Sequence, residues 1–245
     1  MSALVNEIVR LFAPALFNIY FALAAIPAGF VLAIFLALGK ASSNPIVGRL
    51  SRAYIYFFRG SPFFIQLFAF YSLMLAFNIS IWKPLGIDGF VLHPLFLGPA
   101  ILALNTTAYT AEIFYGALLT VPKGEQEAAR AYGMPRRQRF WSITWPHLIR
   151  IAWPAYTNEV VFLFHATALI YFTLPVIGDQ KDLMNMAGDL FERDYNAFLH
   201  YGVAALYFLA ISFLIFSVFG RIYRRLMRHL PQTPPMRFTL RRGLS

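Results

Sequence analysis

Residues 119–150 read LTVPKGEQEAARAYGMPRRQRFWSITWPHLIR, a polar and basic stretch between two long apolar runs. Pro122 and Gly124 mark a start, and Glu125 to Tyr132, rich in Ala, Glu and Arg, favours a helix. Gly133 suits the left-handed position that closes such a helix. Pro135 suits the first turn of a second one. Pro146 would limit that second helix, whose Phe140, Trp141 and Trp145 could lie at a membrane interface. The spacing therefore predicts two short helices with a fixed bend. Such a pair could dock a cytoplasmic partner, or it could lie on lipid as an amphipathic element; the residues alone leave the two readings even.

Outward from this loop the chain is apolar. Five long segments run from about Pro14 to Leu38, Tyr54 to Phe77, Pro94 to Leu119, Ile151 to Val176 and Phe198 to Phe219. Each exceeds the roughly 20 helical residues that cross about 30 Å of hydrocarbon. They are aromatic-rich and mostly uncharged, unlike the alternating strands of about 10 residues in a membrane barrel. Overall the chain is 59% hydrophobic and 13% charged, about half the charged fraction of a soluble domain. An all-α integral membrane protein is predicted, with residues 1–245 forming one transmembrane unit and no repeat, low-complexity linker or soluble domain. The first apolar run is too long for a cleavable signal and reads as a retained span. Cysteine is absent, which excludes disulfide scaffolds, thiol nucleophiles and cysteine metal sites.

The formal charge of +10 would suggest nucleic acid in a soluble protein; here its placement matters instead. Lys40, Arg49, Arg52 and Arg59 lie between the first two spans. Lys123, Arg130, Arg136, Arg137, Arg139 and Arg150 lie between the third and fourth. Arg221, Arg224, Arg225, Arg228, Arg237, Arg241 and Arg242 follow the fifth. The other side holds only Arg10, Lys83, Lys181 and Arg193. Cytoplasmic loops carry the excess of Lys and Arg, so the N-terminus is expected outside and the C-terminus in the cytoplasm. Net charge thus reports topology, and no nucleic-acid partner is implied.

The loop carries a further pattern: Glu127-Ala128-Ala129, three residues, Gly133, nine residues, Ile143, Thr144, then Trp145 where Leu is usual, and Pro146. This resembles the cytoplasmic signature of bacterial ABC-importer permeases. The likeness extends through FRGSP (58–62), LNTTAYTAEIFYGAL (104–118), VPKGEQEAARAYG (121–133) and PAYTNEVVFLFHATAL (154–169). It narrows to polar amino-acid permeases of the histidine/lysine/arginine/ornithine and opine class. The resemblance implies a type I importer (MetI-like) permease fold with five spans in a bacterial inner membrane. It also implies a second permease (a related chain or a copy), a dimeric ATPase inside and a periplasmic binding protein outside. Glu127, Ala128, Ala129 and Gly133 would then sit at the ATPase contact. The chain has no GxxxxGK[ST] phosphate loop, so ATP and Mg would be bound by the ATPase and no cofactor is expected here.

Within the spans, ionisable residues are costly and usually functional. Glu159 lies about 12 Å into the fourth span. With Asn158 it could receive a cationic group of a substrate in transit; alternatively it is a structural carboxylate paired with Arg59 or with a companion's base. His165, seven residues beyond Asn158, shares its face and could bond substrate or simply fill a packing site. Asn105 and Glu112 share a face of the third span. Glu112 could anchor a loop or pair with Arg59, and Arg59 could gate the inner mouth or act as a positive-inside anchor. Thr106 and Thr110 read as interhelical packing. Gly60-Ser61-Pro62 predicts a bend, and Gln66, deeper in the second span, could face a cavity. Acids in the stretch from Gly178 to Tyr195 could meet a binding protein, or form a solvated loop. The competing classes are a permease for neutral or acidic amino acids such as glutamine, a channel, and an intramembrane enzyme. His93, His147, His165, His200 and His229 fall in separate segments without metal-ligand spacing. No catalytic constellation and no selectivity filter is evident.

Overall fold

The computed structural model describes residues 3–175 and 180–228, and every regular element among them is helical. Helix α1, Ala3–Lys40, is the longest. Pro14 and Pro27 lie inside it, so the first helix begins eleven residues before the expected span. Its small residues Ala25, Ala33 and Ala37 are buried, and α5, Pro94–Leu119, answers with buried Ala103, Ala108, Ala111 and Ala117. Helices in lipid associate through close packing rather than through the hydrophobic effect, and small side chains allow this approach. A Cβ on Gly29 of α1 would sit 2.4 Å from Thr106 Cγ2 of α5.

The expected second span straddles a break. Helix α2, Pro45–Gly60, is capped by the Asn44 side chain, and α3, Phe63–Ala76, resumes after Ser61 and Pro62. The predicted bend is therefore present. Its staple is Gln66, whose Nε2 donates to Phe58 O at 2.7 Å and to Ser61 O and Oγ at 2.9 Å. A π turn over Asn78–Trp82 and the short helix α4, Asp88–Val91, lead to α5.

The decisive loop folds as helix α6, Lys123–Ala131, a turn, and helix α7, Arg136–Arg139. Pro146 does not end the second helix. A π turn over Phe140–Thr144 follows α7 directly and runs into α8, Trp145–Ala166. The wide turn just before Pro146 absorbs the backbone donor that proline lacks. Helix α8 then tightens into a 3₁₀ turn, Thr167–Phe172. Val176, where the fourth span was expected to end, lies outside the described residues, as do Gly178 and Asp179.

The acidic stretch is not a solvated loop. Asp182 caps helix α9, Leu183–Asp194, whose Leu183, Ala187 and Leu190 pack with Leu11 and Ala15 of α1 and with Val203 and Ala204 of α10, Ala197–Met227. Amphipathic spacing within those twelve residues supplies the buried face. Helix α10 continues past Phe219 and carries Arg221, Arg224 and Arg225 on its last turns; Arg237, Arg241, Arg242 and His229 lie outside the described residues.

Two long-range polar knots hold the end of the bundle opposite α6. His200 is buried, with Nδ1 2.5 Å from Glu7 Oε1 and Nε2 2.7 Å from Asp194 Oδ1. The Asn196 amide and His200 together hold the exposed Asp194 carboxyl below its usual range. Asn18, fully buried, donates to Thr167 Oγ1 at 3.0 Å and accepts from Leu183 N at 2.9 Å. It thus ties α1 to the 3₁₀ turn and to α9. Asn18→Leu strands the Leu183 amide, a loss of about 1–3 kcal/mol. The expected result is a thermal midpoint several degrees lower in detergent with the fold retained, read by tryptophan fluorescence.

By length and apolarity alone, two helices among the described residues are fit to cross a bilayer, Leu4–Lys40 and Ala197–Met227. Helices α5 and α8 dilute their apolar content with Asn105, Thr106, Thr107, Thr110, Asn158 and Glu159; of these, Asn105, Asn158 and Glu159 line one cavity and Thr106 bonds Glu159.

Candidate functional site

Asn105, Asn158 and Glu159 share one cavity of about 550 Å³ between α3, α5 and α8, walled by Phe63, Tyr109, Ile113, Ala155, Phe162 and Leu163. Thr106 Oγ1 donates to Glu159 Oε1 at 2.8 Å. This threonine bridges helices, as packing reasoning held, and it is also the hydrogen-bond donor of the buried acid. Gly29 backs its methyl group, so the hydroxyl is held in place. Among the described residues no cation lies within 4 Å of Glu159; the ion pairs there include Lys40 and Arg59 with Glu112, Lys181 with Asp189, and His200 with Glu7 and Asp194. Arg59 makes its close contact with Glu112 and acts on Glu159 only at longer range.

Glu112 takes the basic partners instead. Lys40 Nζ is 2.5 Å from its Oε2 and Arg59 Nη1 is 3.7 Å away. These residues line a second cavity of about 490 Å³ with Arg52 and Tyr56. Tyr109 borders both cavities, and the Arg59 guanidinium lies 5.5 Å from its ring centroid. Sequence reasoning missed Tyr109. The available signal was its spacing, four residues after Asn105 and three before Glu112, on the face that those two share.

Two expected cavity residues point elsewhere. Gln66 is buried and spends its amide on the α2–α3 break, and its Oε1 accepts from Asn105 Nδ2 at 2.8 Å. It stands behind Asn105 and does not line the cavity, because three acceptors at the broken helix end claim its donors. His165 bonds Ser212 Oγ at 2.8 Å and faces an apolar groove of about 650 Å³ along α10. Its face is nominally that of Asn158, but the bond to α10 turns the ring away from Glu159.

At the loop end, Glu127, Ala128 and Gly133 are exposed, whereas Ala129 is buried. Gly133 takes φ +72°, the left-handed value expected. Its amide donates to Arg130 O at 2.9 Å and that of Met134 donates to Ala129 O at 3.0 Å, the paired closure of a Schellman motif. Gln126 Nε2 reaches Thr144 Oγ1 at 2.8 Å, and Thr120 Oγ1 lies 3.1 Å from His147 Nε2. The helix pair is therefore fastened to the start of α8 and presents an exposed outer surface.

Residues 25–229 match the family described as binding-protein-dependent transport system inner membrane component. The histidine/lysine/arginine/ornithine transport system permease protein HisM of Salmonella typhimurium is 41% identical over 202 residues, covering 82% of this chain and 83% of its own. The nopaline transport system permease protein NocM of Agrobacterium fabrum is 34% identical over 187 residues, covering 76% and 75%. The crystal structure of an amino acid ABC transporter with histidines superposes with a TM-score of 0.72 at 23% identity, covering 92% of this chain and all of that one. Family match and relatives agree: this chain belongs to the family of binding-protein-dependent transport system inner membrane components.

Proposed function

We propose that the chain is a permease subunit importing cationic amino acids of the histidine/lysine/arginine/ornithine or opine type, with Glu159 receiving the positive group. One observation carries the reading. Among the described residues Glu159, in a cavity walled largely by apolar side chains, has a hydroxyl donor but no cation within 4 Å, the Arg59 charge reaching it only from farther away. Leaving such a charge uncompensated in low dielectric is expensive, and a substrate ammonium, guanidinium or imidazolium supplies the missing charge. Asn105 and Asn158 add neutral polar groups beside it. Arg59, held over Tyr109 and near Glu112, closes the cytoplasmic side of the path. The exposed face of α6 and α7, with Glu127, Ala128 and Gly133, seats the ATPase, which binds ATP and Mg. Ala129, turned inward, supports that face. Five membrane crossings place the N-terminus in the periplasm beside a binding protein and the C-terminus in the cytoplasm. A second permease completes the pore.

Mild-detergent purification of the tagged chain from its native membrane should bring down an ATPase and a second permease. Transport by that assembly in proteoliposomes, driven by ATP and a loaded binding protein, should be competed by arginine, lysine or histidine. Competition by glutamine alone, with none by the basic amino acids, overturns the cationic reading. A chain that purifies alone overturns the assembly.

A further inference from the structure

Asp182 lies at the end of the bundle opposite α6, outside the spans, and its carboxyl has two different oxygens. Oδ1 accepts from Asn185 N at 2.8 Å and Asn185 Nδ2 at 3.0 Å, capping α9. Oδ2 is buried and has no hydrogen-bond partner, although the residue is only 4% exposed. Buried polar atoms are rarely left so. Lys181, its neighbour in the chain, is paired with Asp189 instead. Asp182 lines a cavity of about 30 Å³ with His93, Gln180 and Asn185, closed by Phe21 and Leu174. A water needs roughly 10–15 Å³ by this measure, so the space holds about two non-hydrogen atoms.

The chemistry of the wall is specific. Asn185 uses its Nδ2 on Asp182, leaving its Oδ1 as an acceptor. Gln180 offers a second amide oxygen. His93 Nδ1 accepts from Leu95 N at 3.3 Å, so that nitrogen is occupied. The described residues hold no group of three His, Asp or Glu suited to a metal ion, which argues against a divalent transition metal. Among the described lining residues, one negative charge with neutral oxygens around a two-atom space matches a single positive charge.

We infer that Asp182, Asn185 and Gln180 form a binding site for one small monovalent cation, either an alkali-metal ion or a primary ammonium group. Its occupancy ties the start of α9 to the loop before α5. Burial pushes the Asp182 carboxyl up from its usual range, against the pull of the Asn185 amides and the Met184 backbone amide, so an empty site favours the protonated acid and a bound cation favours the carboxylate. The site is separate from Glu159: its walls come from α1, the 3₁₀ turn and the residues after it, α9 with the residues before it, and the start of α5, and the two cavities share no residue.

The test uses the full chain, purified in mild detergent with the subunits that accompany it. Thermal midpoints are read by tryptophan fluorescence in tetramethylammonium, sodium and methylammonium chloride at equal ionic strength. Tetramethylammonium is too large for the cavity and has no N–H. A midpoint higher by roughly 2–4 °C in sodium or methylammonium supports the site. A rise in sodium alone assigns an alkali ion, and a rise in methylammonium assigns an ammonium group. Asp182→Asn should abolish the rise, and Gln180→Ala, at an exposed loop position, should raise the half-maximal cation concentration several-fold. Glu159→Gln should leave the rise intact, which keeps this site distinguishable from the transport cavity. Equal midpoints in all three salts, or an Asp182→Asn protein that still responds when Glu159→Gln is also present, overturns the inference. So does an Asp182→Asn protein more stable than wild type in every salt, since the carboxyl would then be a neutral group beside a hydrated void.

Discussion

Glu159→Gln should reduce uptake of a basic amino acid by at least 30-fold while leaving the permease folded and assembled. Glutamine keeps the shape of the side chain, and its carbonyl oxygen can still accept from Thr106, whose hydroxyl is 2.8 Å from Oε1. What is lost is the charge. Removing one member of a desolvated charge pair costs about 2–5 kcal/mol, and the lower bound already corresponds to roughly 30-fold. Thr106→Val provides the contrast: it keeps the carboxylate, removes its hydroxyl donor and should cost less transport than the loss of charge. Initial rates of radiolabelled uptake, normalised to permease in the membrane and to co-purifying ATPase, make the comparison. Wild-type rates in Glu159→Gln at equal assembly would show that no essential charge resides there.

Gly133→Val should break the link to ATP hydrolysis with the cavity untouched. At φ +72° an L side chain is strained by about 1–2 kcal/mol, and a β-branched one by more. A Cβ added at Gly133 meets nothing within 4 Å, so the strain is in the backbone alone. It falls on the turn whose two hydrogen bonds close α6. The expected outcome is an ATPase that no longer co-purifies, or one whose hydrolysis no longer responds to loaded binding protein. Gly133→Asn is the control, because asparagine tolerates the left-handed region and should retain coupling. Full ATPase binding and transport in Gly133→Val would remove this turn from the coupling surface.

How much of this could be read beforehand depends on the range of the interaction. The closure at Gly133 and the bend at Gly60-Ser61-Pro62 are local, set by residues that restrict their own φ and ψ, and both were legible. The apolar segments showed that the chain is helical and membrane-bound, but not where helices begin: α1 extends well before the apolar run, and there buried His200 hydrogen-bonds Glu7. That pairing joins residues 193 apart, and no local pattern encodes it. Pro146 misled for a related reason. Proline normally ends a helix, yet here the preceding π turn carries the chain through it. At the cavity, Glu159, Asn158 and Asn105 stood out as polar residues in apolar spans. Gln66 stood out equally and turned out to hold the helix break. Thr106 was unremarked as a partner because a threonine that packs and one that donates to a carboxylate look alike in sequence.

The run from Arg136 through the π turn to Ala166 is continuously helical, and Glu159 sits on the same run as the second helix of the 119–150 pair. Where a single stiff element joins two binding surfaces, their free energies are linked, and linkage has no preferred direction. If an ATP-closed ATPase weakens the hold on a cation beside Glu159 by some factor, a cation there must weaken ATP-driven closure by the same factor. Cytoplasmic amino acid that re-enters the cavity would then oppose the closed state, so product build-up would slow the motor as well as the cargo.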